Sequence, residues 1–220
     1  SGGIMSNQRG LVNQPGGYAG ITDIFSEEVK VFTPDSSVDY RGEYWTTWKK
    51  DEFPMRLNFN HDKVSTSYKN VIRGIHGDAK SWKLVTCLYG ELYFVVVDNR
   101  EDSVTYLEWD WIVLTQGNKK SILVPPMFGS AFCVLSEHSV FMYKWCYGGK
   151  YPDVDNQFTL KWNNSNIGIN WPINNPILKD ASPNAFEKVL TTIKFLNFFT
   201  NFCQCHINLR HFLTFTMDPN

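Results

Sequence analysis

Short β-prone segments constrain the fold of this chain more than any other feature of its sequence. From Ile21 onward, runs rich in Val, Ile, Thr, Tyr, Phe and Trp recur, and turn residues interrupt them roughly every eight to twelve positions. Almost no helical periodicity accompanies these runs. The pattern predicts an all-β sandwich or barrel built around one core.

The predicted strands are short and bounded by turn signals. They occupy residues 29–33, 40–48, 57–67, 70–76, 83–89, 92–98, 109–114, 121–124, 131–135 and 140–146. Gly117-Asn118 predicts a tight hairpin between the strands at 109–114 and 121–124. We also expect the strands at 131–135 and 140–146 to pair with each other.

The domain organisation follows from length and local composition. With 220 residues the chain is long enough for one core and too short to require two. Residues 1–20 are rich in Gly, Asn, Gln and Ser and predict a flexible arm before the β domain at 21–182. Residues 183–220 form a Phe-rich extension, in which 186–202 could be an amphipathic helix. No run approaches the roughly 18 apolar residues of a membrane span, so we expect no membrane partner.

The net charge and the cysteine content limit which partners and which cellular compartment we expect. The formal net charge is −1, so no broad attraction to nucleic acid is expected. The five cysteines are odd in number and irregularly spaced, and we expect no signal peptide before them. This predicts reduced thiols in a cytoplasmic protein. Aromatic residues make up 15% of the chain, and a β-rich core explains this content more simply than a ring-binding pocket does.

The most informative segment is the apolar run at 71–78, which contains Arg73, His76 and two glycines. In a strict two-residue strand period, Arg73 and His76 would point to opposite faces. A bulge at Gly74 or Gly77 could re-aim one of them. Two interpretations of His76 follow: a core side chain hydrogen-bonded to the backbone, or a functional group.

Two further residues could join this histidine in an interior site. Lys83 begins an apolar strand, and a lysine that faces inward there must be paired or functional. The alternative is a strand-end lysine whose ammonium reaches water. Tyr143 shares a predicted strand face with Phe141 and Trp145, so it is either an aromatic core position or a phenol presented to the same interior.

No metal ion or cofactor is predicted. A metal site in a barrel needs about three His or carboxylate ligands, and the three histidines of the β domain are scattered along the chain. Cys203, Cys205, His206 and His211 resemble zinc spacing only superficially, because no second ligand pair supports them. No glycine-rich phosphate loop, nucleophile elbow or dinucleotide fingerprint occurs.

A series of short motifs then carries a family resemblance. The motifs are, in chain order, DYRG (39–42), VIRGIHGD (71–78), KLVTC (83–87), YGE (89–91), VVVD (95–98), VPP (124–126), FG (128–129), VLSE (134–137), YK (143–144) and IGINWP (167–172). Together they resemble the nucleotide-sugar 3,5-epimerases of the dTDP-4-dehydrorhamnose epimerase type, from about Ile21 to Ser182. The variants at 73–78 and 83–87 look closest to the branch that acts on GDP-linked 6-deoxy-4-keto-heptoses.

The resemblance implies a cupin jelly-roll barrel. The apolar periodicity of residues 186–202 predicts that short helices follow it near the C-terminus. The resemblance also implies a GDP- or dTDP-linked sugar substrate, a homodimer with exchanged N-terminal strands, and no cofactor. Such enzymes remove a proton beside a C4 keto group and return one to the other face, which inverts C3 or C5. His76 matches the base, and Asp180 matches the carboxylate behind it. Lys83 matches the lysine near the charge on O4, and Tyr143 matches the acid on the opposite face.

The resemblance also suggests substrate-binding positions. Arg73 would support the oxyanion or the nucleotide phosphates, and Arg41 would reach the nucleotide. Ser130, also expected on the substrate-binding surface, stands where many members carry a histidine. Because this histidine is replaced by Ser130, the resemblance leaves open whether C3, C5 or both are inverted. A second tyrosine of the family falls near Tyr147, Gly149 or Tyr151.

Two other functions compete with epimerisation. A 3,4-ketoisomerase of a nucleotide-linked keto sugar would begin with the same proton abstraction. A catalytically silent sugar-binding cupin is the second alternative. Retention of His76, Lys83 and Tyr143 argues against it, and the altered segment at Ser130 argues for it.

Overall fold

The computed structural model describes residues 9–10, 22–24, 29–152 and 154–179. Its strands are β1 (Arg9–Gly10), β2 (Thr22–Ile24), β3 (Val29–Phe32), β4 (Ser36–Asp39), β5 (Gly42–Trp45), β6 (His61–Tyr68), β7 (Ile72–Asp78), β8 (Trp82–Tyr89), β9 (Glu91–Asp98), β10 (Trp109–Thr115), β11 (Ser121–Val124), β12 (Phe128–Val134), β13 (His138–Cys146) and β14 (Gln157–Thr159). A short 3-10 helix at Val154–Asn156 precedes β14. The all-β prediction is confirmed.

These strands form two six-stranded sheets and a separate hairpin. The first sheet has the order β1-β10-β9-β12-β7-β14, and the second has the order β2-β3-β11-β8-β13-β6. The hairpin consists of β4 and β5. From β6 onward, the chain changes sheet at every connection except the one from β9 to β10. Strands that alternate in this way between two facing sheets are typical of a jelly roll.

The main core lies between the two six-stranded sheets. Its buried residues come from β9, β10 and β12 of the first sheet and from β3, β8, β11 and β13 of the second. Phe132 of β12 and Phe141 of β13 meet across this space, with ring centroids 4.6 Å apart. Alternate residues of each strand therefore point inward, and this direction decides which side chains reach a common interior.

A second apolar cluster covers the outer face of the second sheet. Phe32, Leu84 and Leu123 form its floor. The segment between β5 and β6 lays Phe53 over them, and its ring centroid is 5.0 Å from that of Phe32. Both faces of the second sheet are thus lined with apolar side chains, so polar residues that point inward from this sheet need a separate explanation.

Two of the predicted strand pairings are wrong. β10 and β11 lie in different sheets, so the Gly117-Asn118 turn does not close a hairpin. Asn118 builds the turn, because its Oδ1 accepts the Thr115 backbone N–H at 3.1 Å and its amide donates to Val113 O at 2.8 Å. Similarly, β12 pairs with β9 and β7, whereas β13 pairs with β8 and β6. Turn chemistry specifies a chain reversal but not the sheet that receives the next strand.

The chain divides into two compact units, Ser1–Pro176 and Ile177–Asn220. The second unit is described only at residues 177–179, so the predicted helix at 186–202 lies outside the described residues. Within the predicted arm at 1–20, only Arg9–Gly10 is described, and it pairs in parallel with β10. The described residues include no helix with the length and hydropathy that a membrane crossing requires.

Candidate active site

A bulge in β7 places Arg73 and His76 on the same face of the first sheet. His76 lies opposite Ser130 of β12, whereas Arg73 lies opposite Phe132. Three steps along β7 therefore match two steps along β12, and one extra residue is accommodated between them. Phe132 belongs to the main core, and directly paired residues share a face. Arg73, His76 and Ser130 consequently all point toward the barrel interior.

Gly74 makes this bulge possible. Its φ is +124°, which residues with a side chain rarely adopt, and the Gly74–Ile75 peptide bond is cis. A Cβ at this position would lie 2.6 Å from both Ser130 O and Ala131 Cα. Only glycine therefore lets β7 and β12 approach each other at the point where the direction of His76 is set.

The third strand of this region, β14, supplies a partner for His76. Thr159 lies directly opposite His76, and its hydroxyl is 2.9 Å from His76 Nδ1. The histidine is exposed although it points inward, so it borders an opening of the barrel. The contact with Thr159 fixes the orientation of the imidazole through Nδ1.

Lys83 is the buried cation of the site. It lies opposite Trp145 of β13 and is only 7% exposed, so the interpretation as a strand-end lysine in water is wrong. Its Nζ is 3.7 Å from Asp78 Oδ2 and 4.7 Å from the centre of the Trp145 ring. Burial lowers the pKa of Lys83, and the charge of Asp78 acts in the opposite direction. Asp78 ends β7 two residues after His76, so the ammonium lies close to the histidine strand.

Tyr143 projects into the same interior from the second sheet. Its ring packs between Phe141 and Trp145, with centroid distances of 5.5 Å and 5.9 Å. It is partly buried and borders the main core. His76 and Tyr143 thus come from facing sheets, and Lys83 comes from the strand next to that of Tyr143.

A cluster of cationic and aromatic side chains lies beside Tyr143, and the sequence pointed only to its tyrosines, through the second family tyrosine expected near Tyr147, Gly149 or Tyr151. Lys63 of β6 lies opposite Tyr143, and its ammonium donates to the Tyr151 hydroxyl at 2.8 Å. This hydrogen bond raises the pKa of Lys63. His61, on the same strand face, places Nδ1 3.2 Å from the Tyr147 hydroxyl and packs its ring 4.8 Å from that of Tyr151. We call His61, Lys63, Tyr147 and Tyr151 the β6 cluster.

The remaining predicted residues are placed as follows. Arg73 Nε donates to Ser67 Oγ of β6 at 2.8 Å, so a cation of the first sheet reaches the second. Arg41 lies at the turn between β4 and β5, is largely exposed and pairs with Asp39 at 2.5 Å. The structure does not bring Arg41 to the inward faces of the two six-stranded sheets. Asp180 lies outside the described residues.

The structure therefore brings five of the seven predicted residues to the barrel interior: Arg73, His76, Lys83, Ser130 and Tyr143. Among the described residues, no group of three or more His, Cys, Asp or Glu is arranged to hold a metal ion. Cys203, Cys205, His206 and His211 of the tail lie outside that part of the chain. An imidazole and a phenol from facing sheets can exchange protons with opposite faces of one small molecule. A buried ammonium can stabilise the negative charge that forms between these two steps.

A known protein family matches most of the chain. Residues 24–188 match the model of the dTDP-4-dehydrorhamnose 3,5-epimerase family. The protein belongs to this family. The matched range of the epimerase family contains all seven predicted site residues, including Arg41 and Asp180. It also spans both six-stranded sheets except β1 and the first two residues of β2.

Individual epimerases are similar over the same region. The dTDP-4-dehydrorhamnose 3,5-epimerase of Salmonella typhimurium is 34% identical over 182 residues, which cover 78% of this chain and 95% of the relative. The dTDP-4-dehydrorhamnose 3-epimerase of Streptomyces niveus is 29% identical over 171 residues, covering 72% of this chain and 79% of the relative. A dTDP-6-deoxy-D-glucose-3,5-epimerase from Legionella pneumophila was solved in complex with dTDP-4-keto-L-rhamnose. It matches with a TM-score of 0.67 and 28% identity, over 73% of this chain and 87% of that chain. The prediction of a jelly-roll epimerase is confirmed at the level of the family.

Proposed function

We propose that this protein is an epimerase that inverts a carbon next to the C4 keto group of a nucleotide-linked 4-keto-6-deoxy sugar. The observation that carries the proposal is the placement of His76 and Tyr143 on the inward faces of two facing sheets. Inversion requires a proton to leave one face of the carbon and another to arrive on the opposite face. A base and an acid on facing walls of one barrel meet this requirement.

The C4 keto group makes the neighbouring C–H bonds acidic, so the reaction needs no redox cofactor. His76 takes the proton and leaves an enolate. With Nδ1 hydrogen-bonded to the Thr159 hydroxyl, the proton is accepted at Nε2. Tyr143 then donates its phenolic proton to the other face of the carbon, and the keto group is restored. We assign Asp180 to stabilising the imidazolium that His76 becomes.

Lys83 would stabilise the charge that develops on O4 during this reaction. A preorganised donor in a site from which water is excluded typically contributes about 3–4 kcal/mol of transition-state stabilisation. Lys83 suits this task because it is buried beside the strand of His76 and makes no short hydrogen bond to Asp78. An ammonium held in this way keeps its N–H groups for the oxyanion.

The nucleotide half of the substrate would bind through cations that border the opening. Arg73 and Lys63 are exposed cations on inward strand faces, and each can pair with a phosphate. Ser130, opposite His76, would contact the sugar. Arg41 would reach the nucleotide from the β4–β5 hairpin. A homodimer with exchanged N-terminal strands, a cytoplasmic location and a GDP- or dTDP-linked sugar are further parts of this proposal.

The test is proton exchange with solvent. The protein is incubated in D₂O with dTDP- and GDP-linked 4-keto-6-deoxy sugars, and NMR follows deuterium at C3 and C5. We expect deuterium at one or both carbons, and a loss of at least about a thousandfold in the exchange rate in His76→Asn, as general bases contribute roughly 10²–10⁴ in rate. His138→Asn is the matched control, because His138 stacks on Tyr89 outside the site.

Each other outcome is informative. A His76→Asn variant that exchanges at the wild-type rate would show that His76 is not the base. Deuterium at C3 alone would identify a single inversion, which is the activity named for the Streptomyces niveus relative. A carbonyl that moves to C3 would favour a ketoisomerase. Tight binding without any exchange would favour a silent sugar-binding protein.

A further inference from the structure

Asp78 is a buried carboxylate whose two oxygens differ, because the described residues donate hydrogen bonds to Oδ1 alone. Its side chain is 1% exposed. Oδ1 accepts the backbone N–H groups of Lys80 at 2.8 Å and Ser81 at 2.7 Å, which fixes the carboxylate in the turn from β7 to β8. Oδ2 has no hydrogen-bond partner among the described residues. The turn uses only Oδ1, and a second carboxylate oxygen without a hydrogen bond is costly in a buried position.

Oδ2 faces the ammonium of Lys83. The distance of 3.7 Å is too long for a hydrogen bond but short enough for a strong attraction between opposite charges. On its other side, Nζ lies 4.7 Å from the centre of the Trp145 ring, within cation–π range. Lys83 is therefore held between a carboxylate and an indole face. In the part of the chain that the structure describes, the Lys83 ammonium makes no hydrogen bond to protein.

Burial by itself works against a charged Lys83. Desolvation lowers the pKa of the ammonium, and the charge of Asp78 counteracts this effect. Val124 of β11 and Trp145 of β13, which pair directly with Lys83, carry no charge. The titratable groups on the inward faces of the surrounding strands include His76 of β7, Tyr143 of β13 and Lys63 of β6, whose ammonium is 5.8 Å from the Trp145 ring. None of these three is a carboxylate. Asp78 is the counter-charge of Lys83 among these groups.

We propose that Asp78 is a positioning residue of the epimerase: its Oδ2 keeps the Lys83 ammonium charged and in place against Trp145, with its N–H groups available to the oxyanion of the substrate. The inference rests on the proposed function, because it takes Lys83 as the group that stabilises O4. A short hydrogen bond between Asp78 and Lys83 would compete with the substrate. The longer ion pair leaves the strongest hydrogen bond of Lys83 to form as charge develops on O4.

The test is Asp78→Asn, which preserves the size of the side chain and the Oδ1 acceptor but removes the charge. We expect the pKa of Lys83 to fall by about one pH unit or more. The alkaline limb of the pH profile of kcat for deuterium exchange should move to lower pH by the same amount. In that range the variant should be about tenfold slower for each pH unit by which the limb moves. Lowering the pH should restore its rate, which a purely structural defect would not allow.

The matched control is Asp62→Asn. Asp62 is also paired with a lysine, Lys144 at 2.7 Å, but it lies on the outward face of β6. We expect this substitution to leave both the alkaline limb and the titration of Lys83 unchanged. Trp145→Phe retains a ring face for the ammonium and should move the limb less than Trp145→Leu does.

A second readout does not depend on activity. In protein labelled with ¹³C-lysine, the Cε–Hε signal of Lys83, identified by its absence in Lys83→Arg, reports the pKa of the ammonium directly. An unchanged Lys83 titration in Asp78→Asn, or a rate loss equal at every pH, would overturn the inference. If the wild type exchanges no deuterium into any 4-keto sugar, the proposed function fails, whereas the titration still decides whether Asp78 sets the charge of Lys83. If Asp78→Asn does not fold, Asp78→Glu is titrated in its place, and a lowered Lys83 pKa despite the retained charge would contradict the inference.

Discussion

At the residue scale, two lysines of the site differ in burial and therefore suit different electrostatic roles. Lys83 is buried beside a carboxylate, whereas Lys63 is exposed and hydrogen-bonded to the Tyr151 hydroxyl. Both ammonium groups flank the Trp145 ring, at 4.7 Å and 5.8 Å from its centre. A buried cation stabilises a transient charge more strongly, because the local dielectric constant is low. An exposed cation suits phosphates, which reach the site already charged.

This division predicts that Lys63→Gln impairs binding more than chemistry. We expect KM for the nucleotide sugar to rise about tenfold, the typical cost of one lost charged contact of about 1.5 kcal/mol. We expect kcat to stay within about twofold, because uniform binding contributes to KM alone. Steady-state kinetics of deuterium exchange measures both. Lys144→Gln is the control, since Lys144 points outward and pairs with Asp62. A fall in kcat with unchanged KM would place Lys63 in the chemical step instead.

The two lysines also show what a sequence reveals at this scale. Lys83 stands out because it begins an apolar strand, where an inward ammonium must be compensated. Lys63 lies in a strand whose residues are mostly polar and exposed, so its sequence context is that of any solvated lysine. Its inward direction follows from pairing with Tyr143, a residue 80 positions away. Thr159 is placed beside His76 by the same kind of long-range pairing. Contacts of this kind are properties of the fold and leave no local signal.

At the element scale, the bulge in β7 is the feature that places Arg73 and His76 on the same face of the first sheet. Without it, Arg73 and His76 would point to opposite sides of the first sheet. The glycines around His76 signalled this bulge, because an isolated glycine inside a strand often marks a bulge or a close approach of the backbone. The structure places it at Gly74, next to Ser130 and Ala131 of β12.

We therefore predict that Gly74→Ala damages both stability and activity. Gly74 has a positive φ, and a Cβ added to it would lie 2.6 Å from Ser130 O, so there is no room for a methyl group. We expect a loss of about 2–3 kcal/mol in the free energy of unfolding and a large fall in deuterium exchange, because His76 is re-aimed. Urea denaturation measures the first effect and NMR the second.

Gly117→Ala is the control for this prediction. A Cβ at Gly117 would meet its nearest atom, Thr115 Oγ1, at 3.6 Å, which is an ordinary van der Waals distance. We expect a change in stability within about 0.5–1 kcal/mol and an unchanged exchange rate. A Gly74→Ala variant as stable and as active as Gly117→Ala would show that the bulge does not set the direction of His76.

Strand identity was easier to predict than strand pairing. Hydrophobic alternation and turn residues located nearly every strand from β6 to β13, and the predicted span of β11 agrees with the observed one residue for residue. Pairing could not be read in the same way. The connections from β10 to β11 and from β12 to β13 carry ordinary turn signals, yet both cross from one sheet to the other. Sheet membership depends on how the two sheets bury their inward faces together, which no single turn encodes.

At the scale of the whole molecule, a buried carboxylate anchors the connection between β9 and β10 to the first sheet. Asp98, the last residue of β9, is fully buried. Its oxygens accept hydrogen bonds from Arg100 Nε and Nη2, each at 2.9 Å, and from the Thr105 hydroxyl at 2.6 Å. Burial raises the pKa of Asp98, but these hydrogen bonds outweigh it and lower the pKa to about 2. The carboxylate thus ties the connection to a central strand of the first sheet.

This anchor predicts a specific acid sensitivity of the fold. A carboxyl group titrates near 3.9 in the unfolded chain and near 2 in Asp98 of the folded chain, so the unfolded state binds the proton more readily. Asp98 therefore contributes about 2–3 kcal/mol of stability above pH 4, and this contribution is lost as the pH falls from about 4 to about 2. Urea denaturation of the wild type across this range should show the loss. Asp98→Asn should start less stable at neutral pH and show a correspondingly smaller loss toward pH 2. Asp62→Asn, which changes an exposed carboxylate, should follow the wild type. The stability of Asp98→Asn could instead fall with pH as steeply as that of the wild type. The acid sensitivity would then originate in other carboxylates, and the Asp98 carboxylate would not be what holds the β9–β10 connection to the barrel.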